Sequence, residues 1–296
     1  MKKTSGYLQL MRPANIVTSV ADVLAGTAIS GYFAASGELQ PTVLPVLLLC
    51  LSTIGLYGGG VVFNDVFDAT LDSIERPERP IPSGLISKTE ATTLGAVLLT
   101  AGILLAFFVS IISGILAFLV AISALVYNRW GKHHSFLGPI NMGLCRGLNL
   151  LLGISVVPVA LQSWWYLAFV PIIYIASITM ISRGEVHGGS KTTLYTASLL
   201  YGLVILFILY FAFTKGNLLF AALFLLPFAW MILQPLLKAI KEPIGPNIGK
   251  AVKAGVLALI LMNAAWAAAF GALYIAVIIV LLLPLSLKLG KLFAVT

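Results

Sequence analysis

Asp65, Asp68 and Asp72 stand three and then four residues apart. On a helix that spacing sets three carboxylates on one face. Asn64 precedes them and can add an amide oxygen. Three like charges on one face repel unless something neutralises them, and no Lys or Arg occurs from 36 to 75. Clustered hard oxygens are what Mg²⁺ prefers, typically one or two carboxylates completed by substrate phosphates. Arg76 and Arg79 follow in RPERP, each before a proline. A proline pushes the preceding residue toward extended geometry, which predicts a helix end between 74 and 76. The arginines can then turn back toward the carboxylates, where their planar forks suit phosphate oxygens. The pattern points to a metal and a diphosphate. The alternative is that Arg76 and Arg79 only set topology and pair with Glu75 and Glu78.

The elements that must hold these groups are apolar. Of 296 residues, 60% are hydrophobic and 9% charged, against roughly 25% charged in soluble domains. Apolar runs near the ~20 residues needed to cross a bilayer recur along the chain. They read as spans at 14–34, 42–64, 91–110, 112–127, 137–158, 165–182, 193–213, 217–237, 253–270 and 272–287. The expected fold is an all-α polytopic bundle of nine or ten transmembrane helices, one domain over 1–296. Residues 254–287 make one apolar stretch, roughly 51 Å as a single helix, too long for one untilted span. Gly271 offers a break and favours ten.

With the N-terminus inside, sixteen of the eighteen Lys and Arg fall in inner segments. The net charge of +8 therefore sets orientation and implies no nucleic-acid partner. The long polar loops, 65–90, 128–136 and 183–192, share that inner side with the basic loop 238–252, whereas outer connections such as GELQ and TKGN are short. Chemistry is expected inside, facing the cytoplasm. Arg12, Pro13 and Asp22 interrupt the first apolar stretch, which reads as a retained helix and not as a cleaved signal. Cys50 and Cys145 fall in spans and read as small packing residues.

N-D-x-x-D-x-x-x-D followed by R-P-x-R-P-x-x-x-G resembles the first aspartate-rich motif of the UbiA superfamily of intramembrane prenyltransferases. Asn64, Asp65, Asp68, Asp72, Arg76, Pro77, Arg79, Pro80 and Gly84 all match. RPAN at 12–15 resembles the first-helix segment of that family, and YNRWGK at 127–132 resembles its Y-x-x-x-x-K loop. EVHGG and the terminal LFAVT resemble the EboC-like branch. The resemblance implies a Mg²⁺-dependent transfer from an isoprenyl diphosphate to an unknown acceptor, aromatic or lipid, within the bilayer of a bacterial inner membrane. It implies Asn64, Asp65, Asp68 and Asp72 as metal ligands. Arg76, Arg79 and Lys132 would bind the diphosphate. Tyr57, Phe63, Phe67, Tyr127 and Trp130 are candidates to face the developing allylic cation.

The second acidic motif of the family, roughly D-x-x-D-x-x-G-D, corresponds here to ITMISRGEVHGGSKTTLY, 178–195. Gly184 and Glu185 match its end, but Ile178 and Ile181 occupy the earlier acidic positions. One carboxylate makes a poor second metal site. Either one Mg²⁺ suffices, with Arg183 and Lys191 sharing the diphosphate charge, or the protein is a non-catalytic isoprenoid-binding or export-assisting relative. His187 could act as acid and base or cap the loop; His133 and His134 read as solvated. Arg146 lies mid-span, a functional position by default, with either the diphosphate or Asp22 as its partner. Asn15, Asn141 and Asn149 read as interhelical hydrogen-bonding residues. A generic transporter fits less well, since its charged groups would sit at the midplane.

Overall fold

The computed structural model describes residues 3–34, 42–185 and 188–293. Twelve helices follow in order: α1 Lys3–Met11, α2 Pro13–Ile29, α3 Leu44–Glu75, α4 Lys88–Phe107, α5 Ile111–Arg129, α6 Leu137–Ile154, α7 Ala160–Trp164, α8 Phe169–Ser182, α9 Lys191–Thr214, α10 Leu218–Lys241, α11 Gly245–Ala269 and α12 Leu273–Leu292. No strand occurs among the described residues. Eight segments are long and apolar enough to cross a membrane. The shorter α2 and the more polar α6 complete ten segments, each matching a span expected from the sequence. Phe270–Ala272 separates α11 from α12, and Gly271 there has φ 83°, so the long terminal stretch is two helices.

Two features beyond the spans shape the site. The helix of the expected span 42–64 continues through the aspartates to Glu75, as their spacing and the prolines predicted, so the polar loop shrinks to the segment before α4. A separate helix, α1, precedes the first span. It is tethered by Lys3, whose ammonium donates to Glu90 at 2.7 Å. Glu90 also closes a capping box with Ser87 that starts α4, satisfying two backbone donors reciprocally. GELQ lies outside the described residues.

Helices meet closely where glycine removes the side chain. A Cβ on Gly59 would lie 2.9 Å from the Gly95 carbonyl of α4, which is the role YGGG suggested. Between α2 and α6 the fit is tighter still: a Cβ on Gly153 would stand 2.3 Å from the Val23 carbonyl. Small residues at such contacts are the usual device where lipid supplies no hydrophobic drive. α11 is sheathed by its neighbours, with Leu259–Ala269 all buried. Large apolar side chains such as Leu206, Leu219, Leu226 and Trp230 face outward, as a bilayer requires.

Candidate active site

The helical period of α3 brings Asp65 and Asp72 to the same cation. Arg79 Nη1 lies 2.7 Å from Asp72 Oδ2 and 3.6 Å from Asp65 Oδ1. Arg12 Nη2 donates to Asp65 Oδ1 at 2.6 Å, and Lys132 Nζ donates to Asp68. Asp65 and Asp72 are 6% and 4% exposed, so their charges need these partners. α3 ends at Glu75, with the Arg76 N–H donating to the Asp72 carbonyl at 2.8 Å, where the prolines predicted its end. The turn beyond folds back through Ile86 N–H to Pro80 O at 2.9 Å. Gly84 takes φ 75° there, a conformation that favours glycine. Arg79 therefore pairs with the aspartates and not with Glu78.

Beside this cluster opens a cavity of about 410 Å³ enclosed by α2, α3, α5, α6, α8 and α11. Asn64, Arg146 and Glu185 line it, and so does Arg12, whose guanidinium holds Asp65. Asn64 donates to Asn128 Oδ1 at 3.1 Å, and Asn128 donates to the Gly60 carbonyl at 2.7 Å. This pairing engages the Asn64 amide nitrogen on the cavity wall, where Asn128 also lies, and leaves its oxygen as the available ligand atom. Tyr57 and Tyr127 also line the cavity. Phe67 lies beneath Arg129, 5.9 Å from ring centre to guanidinium carbon. Cys145, expected to pack only, contributes to the lining.

The second loop reaches the same end. Glu185 lines the cavity; partial burial holds its carboxyl above the usual carboxylate range, and the nearby Arg76 cation offsets only part of this rise. Arg183 Nη2 donates to the His134 carbonyl at 2.6 Å. It lines a separate cavity of about 270 Å³ with Gly188, Gly189 and Ser190. Lys191 starts α9, is exposed and lines neither cavity. The structure thus gathers Asn64, the three aspartates, Arg79 and Lys132, brings Arg76 and Glu185 alongside, and leaves Arg183 and Lys191 apart. Ile178 and Ile181 are buried, 5% and 2% exposed. His187 lies outside the described residues.

Arg146 takes the structural partner of its two expected ones. Its Nη1 donates to Asp22 Oδ2 at 2.7 Å and its Nη2 to Thr18 Oγ1 at 2.5 Å. Asn149 binds the same carboxylate, as does Asn263 of α11, which the sequence reading passed over. Arg12 was also missed as a ligand. Its signal was available: a cation immediately before a helix-starting proline, with no other basic residue until Arg76.

A family model described as the UbiA prenyltransferase family matches residues 24–243. This chain belongs to that family. Among UbiA relatives, the digeranylgeranylglyceryl phosphate synthase of Sulfurisphaera tokodaii is 28% identical over 195 residues, covering 63% of this chain and 67% of the relative. That of Methanosarcina barkeri is 33% identical over 156 residues, covering 51% and 54%. The chain spans about half the length of several such relatives. A UbiA homologue from Archaeoglobus fulgidus, solved bound to DMAPP and Mg²⁺, matches 86% of this chain and 98% of its own at a TM-score of 0.62 and 17% identity. That likeness supports the UbiA fold.

Proposed function

We propose that the protein is a membrane prenyltransferase that moves an isoprenyl group from its diphosphate to an acceptor. The observation that carries this reading is the convergence of Asp65 and Asp72 on one cationic group, with Asp68 beside them held by Lys132. Carboxylates already arranged around a cation are a donor set that fits Mg²⁺, although among the described residues no group of three acidic, His or Cys side chains stands close enough to hold a metal unaided. Asn64, Asp65, Asp68 and Asp72 would hold it, and when bound it neutralises diphosphate charge. The Archaeoglobus fulgidus homologue was solved with both Mg²⁺ and DMAPP.

Arg12, Arg79 and Lys132 hold the acidic face, and with Arg76, which acts on Glu185, they would supply donors to the diphosphate oxygens. As the allylic C–O bond breaks, its electron pair leaves with the diphosphate, and these cations stabilise the charge that builds there. The acceptor forms its bond to the freed carbon and loses a proton. Tyr57 and Tyr127 place aromatic faces on the cavity wall, where such a carbon gains cationic character. With Ile178 on the cavity wall and Ile181 buried, the second motif offers one carboxylate, Glu185, and a single metal suffices in this reading. The same substitution supports the second reading, a non-catalytic isoprenoid-binding relative.

The bias of Lys and Arg toward alternate connections of the sequence supports a site on the inner, cytoplasmic side. EVHGG and LFAVT support the EboC-like branch, though both lie partly outside the described residues. The deciding experiment offers purified protein a panel of isoprenyl diphosphates with and without Mg²⁺ and measures diphosphate release. Release that depends on Mg²⁺ and is lost in Asp68→Asn supports transfer. Tight donor binding with no release for any acceptor supports the binder.

A further inference from the structure

A second opening lies at the end of the bundle away from the aspartates. α9 starts at Lys191, shortly after Glu185, and ends at Thr214, roughly 36 Å away at 1.5 Å per residue. That is enough to cross ~30 Å of hydrocarbon and reach the other headgroup layer. There a cavity of about 510 Å³ is lined by Trp164 of α7, Tyr166 just beyond it, Phe207, Tyr210 and Phe211 of α9, and Lys215. Lys215 is the only Lys or Arg in the outer connections of the sequence. Its ammonium lies 4.6 Å from the Trp164 ring centre and 5.3 Å from that of Phe270. These ring faces are its only side-chain partners among the described residues. No carboxylate occurs in the described connections at this end. Aromatic faces attract a cation without cancelling its charge, so one fixed positive charge stands at the top of an aromatic cavity.

We propose that this cavity binds an anionic phospholipid, with the phosphate at Lys215 and an acyl chain against the rings below. The site is separate from the reaction proposed at the acidic face. Length and charge together select the occupant. Phe207 lies eight residues before Lys215, roughly 12 Å deeper along α9. A ligand with an anionic head and an apolar tail meets both parts of the cavity. Free phosphate would meet the ammonium and leave the rings uncovered. The headgroup must also carry net negative charge. Aromatic faces can hold the quaternary ammonium of choline, but here the Lys215 ammonium already occupies Trp164 and Phe270 and repels a second cation. Tyr210 is exposed, and its phenol is a donor suited to a phosphate oxygen at the interface.

The test titrates the full-length protein in neutral detergent with dioleoyl phosphatidylglycerol and with dioleoyl phosphatidylcholine, counting bound lipid by native mass spectrometry. Lysines at the opposite end of the bundle also attract anionic lipid, so the comparison variant is Lys241→Gln. Lys241 ends α10, whereas Lys215 precedes its start. The tightest-bound phosphatidylglycerol is expected to be held about fivefold more strongly than phosphatidylcholine, the effect of one lysine beside an anionic lipid. Lys215→Gln, which keeps a polar side chain at an exposed position, should remove that advantage and leave phosphatidylcholine unchanged. Tyr210→Ala should weaken phosphatidylglycerol as well, and Lys241→Gln should leave its tightest-bound molecule in place. Equal native affinities for the two lipids, equal losses in Lys215→Gln and Lys241→Gln, or indifference to Tyr210→Ala overturns the proposal. Displacement of the lipid by millimolar inorganic phosphate also overturns it, because a free anion would then be the occupant.

Discussion

Arg12 reaches across 53 positions of sequence to donate to Asp65 at 2.6 Å, and it does so from a left-handed backbone. Its φ of 49° is the one positive value outside glycine among the described residues. A non-glycine residue held in that region costs about 1–2 kcal/mol and persists where its surroundings impose it. Here Pro13 begins α2 directly behind it, and the guanidinium is held by the carboxylate in front. Arg12→Gly should therefore leave the protein about 1 kcal/mol more stable than Arg12→Ala, while both lose donor affinity. Thermal melts and Mg²⁺–pyrophosphate titrations of the pair measure the two effects. A Gly variant no more stable than the Ala variant would remove strain from the account.

Asp68→Asn and Asp72→Asn should each lower Mg²⁺–pyrophosphate affinity by about a hundredfold, or ~2.7 kcal/mol, with melting temperature little changed for Asp68. Calorimetry at several Mg²⁺ concentrations reads this directly. Normal binding in both variants would remove the acidic face from the metal site.

Lys132 touches Asp68, whereas Lys191 is exposed and lines neither cavity. Lys132→Ala should weaken pyrophosphate binding by about tenfold, ~1.4 kcal/mol, and Lys191→Ala should leave it nearly unchanged. A larger loss at Lys191 would mean that the loop before α9 closes over the ligand.

Restoring the family's acid at 181 should harm the protein. Ile181 is 2% exposed, and an unpaired carboxylate buried there costs several kcal/mol. Ile181→Asp is expected to lower the melting temperature sharply and to leave metal stoichiometry at one. A stable variant that binds two Mg²⁺ per diphosphate contradicts this.

Removing Arg146 strands Asp22, which is 1% exposed. Breaking a buried ion pair on one side typically costs ~3–5 kcal/mol. Arg146→Met should fall in that range, and adding Asp22→Asn should recover part of the loss. Additive losses in the double variant would show that the pair is not coupled.

The sequence carried the acidic face of α3 plainly, because three aspartates at helical spacing and two prolines settle one helix and its end without reference to anything distant. It carried the division of α11 from α12 as well, since length and Gly271 are local. The partners of those residues were not local. Asp22 accepts from Asn263, 241 positions away, and Asn64 meets Asn128. Periodicity assigns a residue to a face but not to a neighbour. Arg183 and Lys191 were expected at the diphosphate because their loop faces the right side, yet only the path of the chain decides which cavity a side chain enters.

The glycines between α2 and α6 have one further consequence. With Gly26 and Gly153 each leaving no room for a single methyl against the opposing backbone, that seam is a wall one main chain thick on either side. A branched hydrocarbon cannot thread it from the bilayer. Whatever lipid reaches the cavity must pass elsewhere, so the positions where this protein has no side chains also narrow the routes by which a hydrocarbon can enter.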